Sequence, residues 1–115
     1  MTDTDRPDTR RVTDLEDEAT LDAFVSETSV ALVEFYTDGC GICAQMEPVL
    51  DVVAKKTDAA VATVNPRDDP PLVDRFRVQS VPLFVVFVDG EPVARRAEGY
   101  VGAEDLTSWV ESAGA

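Results

Sequence analysis

Apolar positions fall into short runs whose period switches along the chain. Ser29–Tyr36, SVALVEFY, and Leu83–Val88, LFVVFV, are dense in β-branched and aromatic residues and predict buried strands. Ala60–Val64 predicts another, and Val12–Leu15 a short one. Between Tyr36 and Ala60 the period changes. Ile42, Met46, Val49, Leu50 and Val53 recur at helical spacing and predict a helix from Gly41 to Lys56, with two lysines in its last turn. Pro48 lies inside that run, where it removes a backbone hydrogen bond and predicts a kink. Asp17 predicts the cap of a helix with Leu21, Phe24 and Val25 on one face. The proline-punctuated loop NPRDDPP, Asn65–Pro71, leads into a short helix through Leu72–Phe76. Ala103–Ser112 predicts a last helix burying Leu106, Trp109 and Val110.

The order of these elements restricts the architecture. Strand, helix and strand at these lengths make a βαβ unit with parallel strands and a right-handed crossover. Asp89-Gly90, between Leu83–Val88 and an extended stretch at Pro92–Ala97, signals a hairpin and an antiparallel pair. The expected fold is α/β: a central mixed sheet with helices on both faces. A chain of 115 residues fits one domain, placed at residues 12–115. Met1–Arg11 carries almost no apolar residue and reads as a disordered acidic tail. There is no internal repeat.

Charge changes the picture of partners. Asp and Glu number 23 against 10 Lys and Arg, a formal charge of −13, which repels phosphate backbones and excludes nucleic acid as a partner. Lys55 and Lys56 are the only lysines and Ile42 the only isoleucine. Such a composition resembles proteins of salt-accumulating halophiles, where ions screen self-repulsion; the plainer reading is an acidic surface that favours solubility. No apolar run approaches the roughly 20 residues that span a bilayer, and no basic start precedes an apolar stretch. A cytoplasmic protein without membrane partners is expected.

Both cysteines lie in FYTDGCGICAQMEP, Phe35–Pro48, just past a strand and at the start of a helix. Backbone N–H groups and the helix dipole favour an anion at Cys40, so its thiol should ionise readily. Cys43 lies one turn further in, within reach of a disulfide. The spacing therefore offers an attacking thiolate and a resolving thiol. Two rivals stand beside this reading. A zinc site wants about four ligands, and a chain with two Cys and no His would need carboxylates or a second chain. Incidental buried cysteines are the other, weakened by Gly39 and Gly41, which bring the backbone to the surface. The absence of His also removes Cys–His and Ser–His catalysis.

LVEFYTDGCGICAQMEPVL resembles the active-site segment of the thioredoxin family. The likeness runs from Val12 to the last helix. It includes the dithiol Cys40-Gly41-Ile42-Cys43, Pro48 in the following helix, Val81-Pro82 before an apolar strand, the Asp89-Gly90 hairpin, and Gly99 with Gly102 before the final helix. The resemblance implies a thioredoxin fold and a thiol–disulfide oxidoreductase without bound cofactor or metal. Cys40 would be the nucleophile and Cys43 the resolving thiol. Pro82 would be the cis-proline facing them, with the Val81 backbone pairing to an extended substrate segment. Gly41, Ile42 and Tyr36 would line the substrate groove. Glu34 stands where the family usually has a buried Asp, and would carry a raised pKa and take the proton of Cys43. Partners implied are disulfide-containing proteins and a flavin-dependent thioredoxin reductase, with the chain itself a monomer.

Three positions depart from the family pattern. Ile42 replaces the usual proline between the cysteines, which puts the redox potential in doubt and admits an oxidant or isomerase-like role. Gly39 stands where many members have tryptophan. Thr63 stands where many have a lysine near the buried acid, so Glu34 should be harder to ionise. A thioredoxin-fold interaction module with non-cycling cysteines is the alternative of a different class. Trp109 reads as core, Gly99 as backbone geometry near the dithiol, and Arg95-Arg96 as a solvated edge that resists sheet pairing.

Overall fold

Alternation along the strands sorts side chains to two faces, and each face is buried by its own helices. The computed structural model describes residues 11–114. The tail assigned to Met1–Arg11 lies outside the described residues except for Arg11. Its Asp3, Asp5 and Asp8 are matched by Arg6, Arg10 and Arg11, so that segment is not acidic as expected.

In chain order the elements are β1 (Val12–Leu15), α1 (Glu18–Ser26), β2 (Val30–Phe35), α2 (Gly41–Lys56), β3 (Ala60–Val64), a 3₁₀ turn (Pro66–Asp68), α3 (Pro71–Phe76), β4 (Leu83–Val88), β5 (Glu91–Arg96) and α4 (Ala103–Ala113). They form one five-stranded sheet in the order β1-β3-β2-β4-β5. β1, β3 and β2 are parallel; β4 runs antiparallel to β2, and β5 antiparallel to β4. The expected mixed sheet with helices on both faces is thus present, and element ends shift by only a residue or two. α2 continues through Pro48.

On one face Ala31, Val33 and Phe35 of β2 pack with Leu21 and Phe24 of α1 and Phe76 of α3. Phe76 sits between Phe35 and Phe87, ring centroids 5.0 and 5.8 Å away. On the other face Leu32 packs with Met46, Leu50 and Val53 of α2 and with Leu106 and Val110 of α4. Asp17 caps α1 in a reciprocal capping box with Thr20.

Two expectations need correction. β5 is the sheet's edge strand and Arg95 is exposed on it as expected, but neither arginine is simply solvated. Arg96 pairs with Glu98 and, at 2.9 Å, with Asp105, while Arg95 donates to the carbonyls of Phe76 and Arg77. Arg75 and Arg96 each find two carboxylates in this acidic chain, and Arg's fork also finds free carbonyls, as at Arg95. Trp109 is only half-buried, with the Arg96 guanidinium 5.7 Å from its ring centroid.

Candidate functional site

The sheet register aims one polar residue per strand at the same face. Along β2, Leu32 points toward α2 and α4, so Glu34, two residues on, does the same. Across the sheet Glu34 is paired with Thr63 of β3, Thr63 with Asp14 of β1, and Glu34 on its other side with Phe84 of β4. Asp14, Thr63 and Glu34 therefore form a row under the start of α2. The Thr63 hydroxyl donates to Asp14 Oδ1 at 2.9 Å, and the Tyr36 hydroxyl reaches the same oxygen at 3.3 Å. Burial, then the charge of Asp14, raises the Tyr36 hydroxyl above its ordinary pKa.

With both hydroxyls turned to Asp14, Glu34 is left alone. It is 2% exposed, and its Oε2 has no hydrogen-bond partner. Burial first, and then the charge of Glu47, pushes its pKa up to about 8. The raised pKa expected from burial of this carboxyl is present, and the carboxyl is mostly protonated at neutral pH.

The dithiol sits directly above. After β2 the chain turns at Gly39, whose φ of 80° is one that a residue with a Cβ rarely adopts. Cys40 then caps α2, and its Sγ accepts from the Cys43 N–H at 3.1 Å. A helix start with its N–H groups facing a sulfur is where a thiolate is stabilised. Cys40 and Cys43 are joined as a disulfide with Cα atoms 5.3 Å apart. Cys40 is partly exposed and Cys43 is buried. A cavity of about 440 Å³ opens beside them, reaching down to Glu34 and the Asp14–Thr63 row, with Glu47 and Asp51 on its helical wall.

Three loops converge at this end of the sheet. Leu83 pairs with Phe35, so Val81-Pro82, which precedes it, lies at the same end as the dithiol; the bond between them is cis. Pro82 is buried and Val81 half-buried. Arg96 pairs with Phe84, so the chain leaving β5 through Gly99 also emerges here. The Val101 N–H donates to Met46 Sδ at 3.5 Å, fastening that loop to α2.

Cys40, Cys43, Glu34 and Tyr36 thus line a common cavity, which Val81, Pro82, Gly41 and Ile42 do not line. Gly41 and Ile42 stand exposed on the first turn of α2. Of Tyr36 and Ile42, grouped together from the sequence as groove residues, only Tyr36 lines this cavity. Asp14, Glu47 and Asp51 were missed. For the last two a signal existed, since Cys43, Glu47 and Asp51 are spaced by four and share a helix face. Asp14 carried none, because its place depends on strand register.

The sequence profile of thioredoxins matches residues 12–112. A thioredoxin of Mycobacterium tuberculosis is 34% identical over 97 residues, covering 83% of this chain and 81% of its own. Among solved structures, a thioredoxin mutant from Halobacterium salinarum superposes with a TM-score of 0.87 at 34% identity, covering 98% of this chain and 97% of that one. An oxidised thioredoxin from Plasmodium falciparum gives 0.80 at 21% identity, covering 91% of this chain and all of its own, and speaks to the fold alone. With its two cysteines in bonding distance at the head of α2, the chain belongs to the thioredoxin family of thiol–disulfide oxidoreductases.

Proposed function

We propose that the chain is a cytoplasmic reductant of protein disulfides, with Cys40 as nucleophile, Cys43 as resolving thiol and Glu34 as the base that serves it. The observation that carries this is the asymmetry of the pair: a partly exposed Cys40 at a helix start, and a buried Cys43 over a buried carboxyl. The Cys40 thiolate attacks a target disulfide; one sulfur–sulfur bond forms, the target's breaks, and the leaving thiolate takes a proton from solvent. Cys43 then gives its proton to the Glu34 carboxylate and attacks Cys40 Sγ. That expels the reduced target and closes the internal disulfide, so two electrons have passed from dithiol to target. Because Glu34 is ionised only as pH approaches 8, resolution should quicken from pH 6 to 8.

Val81 and Pro82, at the dithiol's end of the sheet but outside the acid cavity, fit the docking of an extended substrate segment, with exposed Gly41 and Ile42 as further groove residues. Tyr36 fits the rim beneath Cys40. A thioredoxin reductase would return the dithiol. Among the described residues only Ile42, Val93 and Tyr100 are exposed large apolar side chains, few enough to support a monomer. No described helix is long and apolar enough to cross a membrane. The charge of −13 and the likeness to a haloarchaeal structure support a salt-rich cytoplasm.

The test is a trap. Cys43→Ser should accumulate mixed disulfides with oxidised protein targets through Cys40, and Cys40→Ser should accumulate none. Adducts formed equally by both variants would refute the assignment. A redox titration of the pair separates a reductant near about −270 mV from the oxidant that exposed Ile42 would favour, nearer −120 mV.

A further inference from the structure

We propose that the cavity beneath the dithiol binds an organic cation, a guanidinium or primary ammonium group on an extended stem. The first observation is Glu34 itself, a carboxyl 2% exposed that lines the cavity with one oxygen lacking any partner. The second is the setting. β1 contributes Asp14, the Cys40 loop Asp38, and α2 Glu47 and Asp51, while no Lys or Arg among the described residues lines the cavity. From β3 comes Thr63, whose hydroxyl is already given to Asp14, and from β4 only Phe84 stands against Glu34. Among the described residues lining the cavity, nothing cationic answers these four carboxylates and one buried acid.

The shape selects the kind of cation. Among the described residues no three Asp, Glu or Cys side chains converge as metal ligands do. The acids are instead strung along a space of about 440 Å³, from Asp51 and Glu47 on the helix down to Glu34 on the sheet. Val12, Ala44 and Leu50 supply apolar wall between them, and Tyr36 an aromatic face. That alternation suits a charged head on a methylene stem. The same head could belong to a free small amine or to an Arg or Lys side chain of a docked protein. Paired with it, Glu34 would ionise at lower pH and so accept the Cys43 proton at neutrality. This last consequence rests on the base role proposed above; the binding itself does not.

The test reads Glu34 in the oxidised protein, without turnover. Its carboxyl ¹³C shift is followed against pH with Nα-acetylarginine amide or 1,4-diaminobutane, and with KCl at matched ionic strength. Saturable lowering of the Glu34 midpoint by about one pH unit or more is expected. In a Glu47→Gln/Asp51→Asn variant, both positions being exposed, the midpoint starts lower and the response to probe is lost. The source is resolved by joining a peptide to Cys40 of Cys43→Ser as a mixed disulfide, carrying either arginine or citrulline. A shift with arginine only, and none with the free probes, makes a docked partner the donor. If KCl reproduces the probe effect and the two peptides behave alike, the site does not exist. That outcome leaves the trapping test of Cys40 and Cys43 untouched, so the two failures are distinguishable.

Discussion

Replacing Glu34 by Gln should change how stability depends on pH. In the unfolded chain this carboxyl titrates near 4.5; in the fold it titrates near 8. Between those values the folded protein holds a proton that the unfolded chain has released, so stability falls as pH rises. The contribution is full below pH 4.5 and gone above pH 8. At about 1.4 kcal/mol per pH unit, roughly 3 kcal/mol is lost between pH 4.5 and 7. That is a large part of the 5–15 kcal/mol typical of a domain. Gln has nearly the same shape and stays neutral, so Glu34→Gln should lack this slope. Any cost of misplacing the amide appears as an offset independent of pH. Urea denaturation of the oxidised forms, in which the thiols cannot titrate, gives the difference between variant and parent. Glu34→Gln should gain about 3 kcal/mol on its parent across that range. A difference that stays flat within about 0.5 kcal/mol, the ordinary scatter of surface effects, would refute a buried acid with a raised pKa.

Other perturbations test the frame around the site. Met46→Leu keeps the volume of a fully buried side chain but removes the acceptor for the Val101 N–H; a loss of about 1 kcal/mol by urea denaturation is expected, with faster amide exchange at Val101. Arg75 bridges Glu18 and Asp22 of α1 at 2.7 and 2.8 Å, in partly exposed pairs. Arg75→Gln should cost at most about 1 kcal/mol at low salt, a penalty that shrinks as KCl rises toward about 1 M.

The fold was legible because its signals are local. LFVVFV reads as a strand from its own composition, Asp89-Gly90 as a hairpin from its own turn chemistry, and α2 from the spacing of Met46, Leu50 and Val53. The dithiol was legible for the same reason, both sulfurs lying on one helical turn. What escaped was set by how separate elements pack. Arg96 meets Asp105 only once β5 lies beside α4. Asp14 meets Thr63 and Tyr36 only once β1, β3 and β2 are in register.

That register also explains why Thr63 changes more than one contact. A cation at this position would face Glu34 directly and neutralise it. A hydroxyl there can donate to one carboxylate, and the one it meets is Asp14. Glu34 must then remain protonated, keep an unpaired oxygen, and leave open the space that a longer side chain would fill. One residue on β3 thereby links three observations: the height of the Glu34 pKa, its one unpartnered oxygen, and the acid-lined cavity under the dithiol. Thr63→Lys should reverse all three together, lowering the Glu34 midpoint by about 1–3 units and abolishing any response to added arginine amide. If the lysine left the Glu34 titration where it is, the row across β1, β3 and β2 would not control the acid, and the cavity would be without its electrostatic cause.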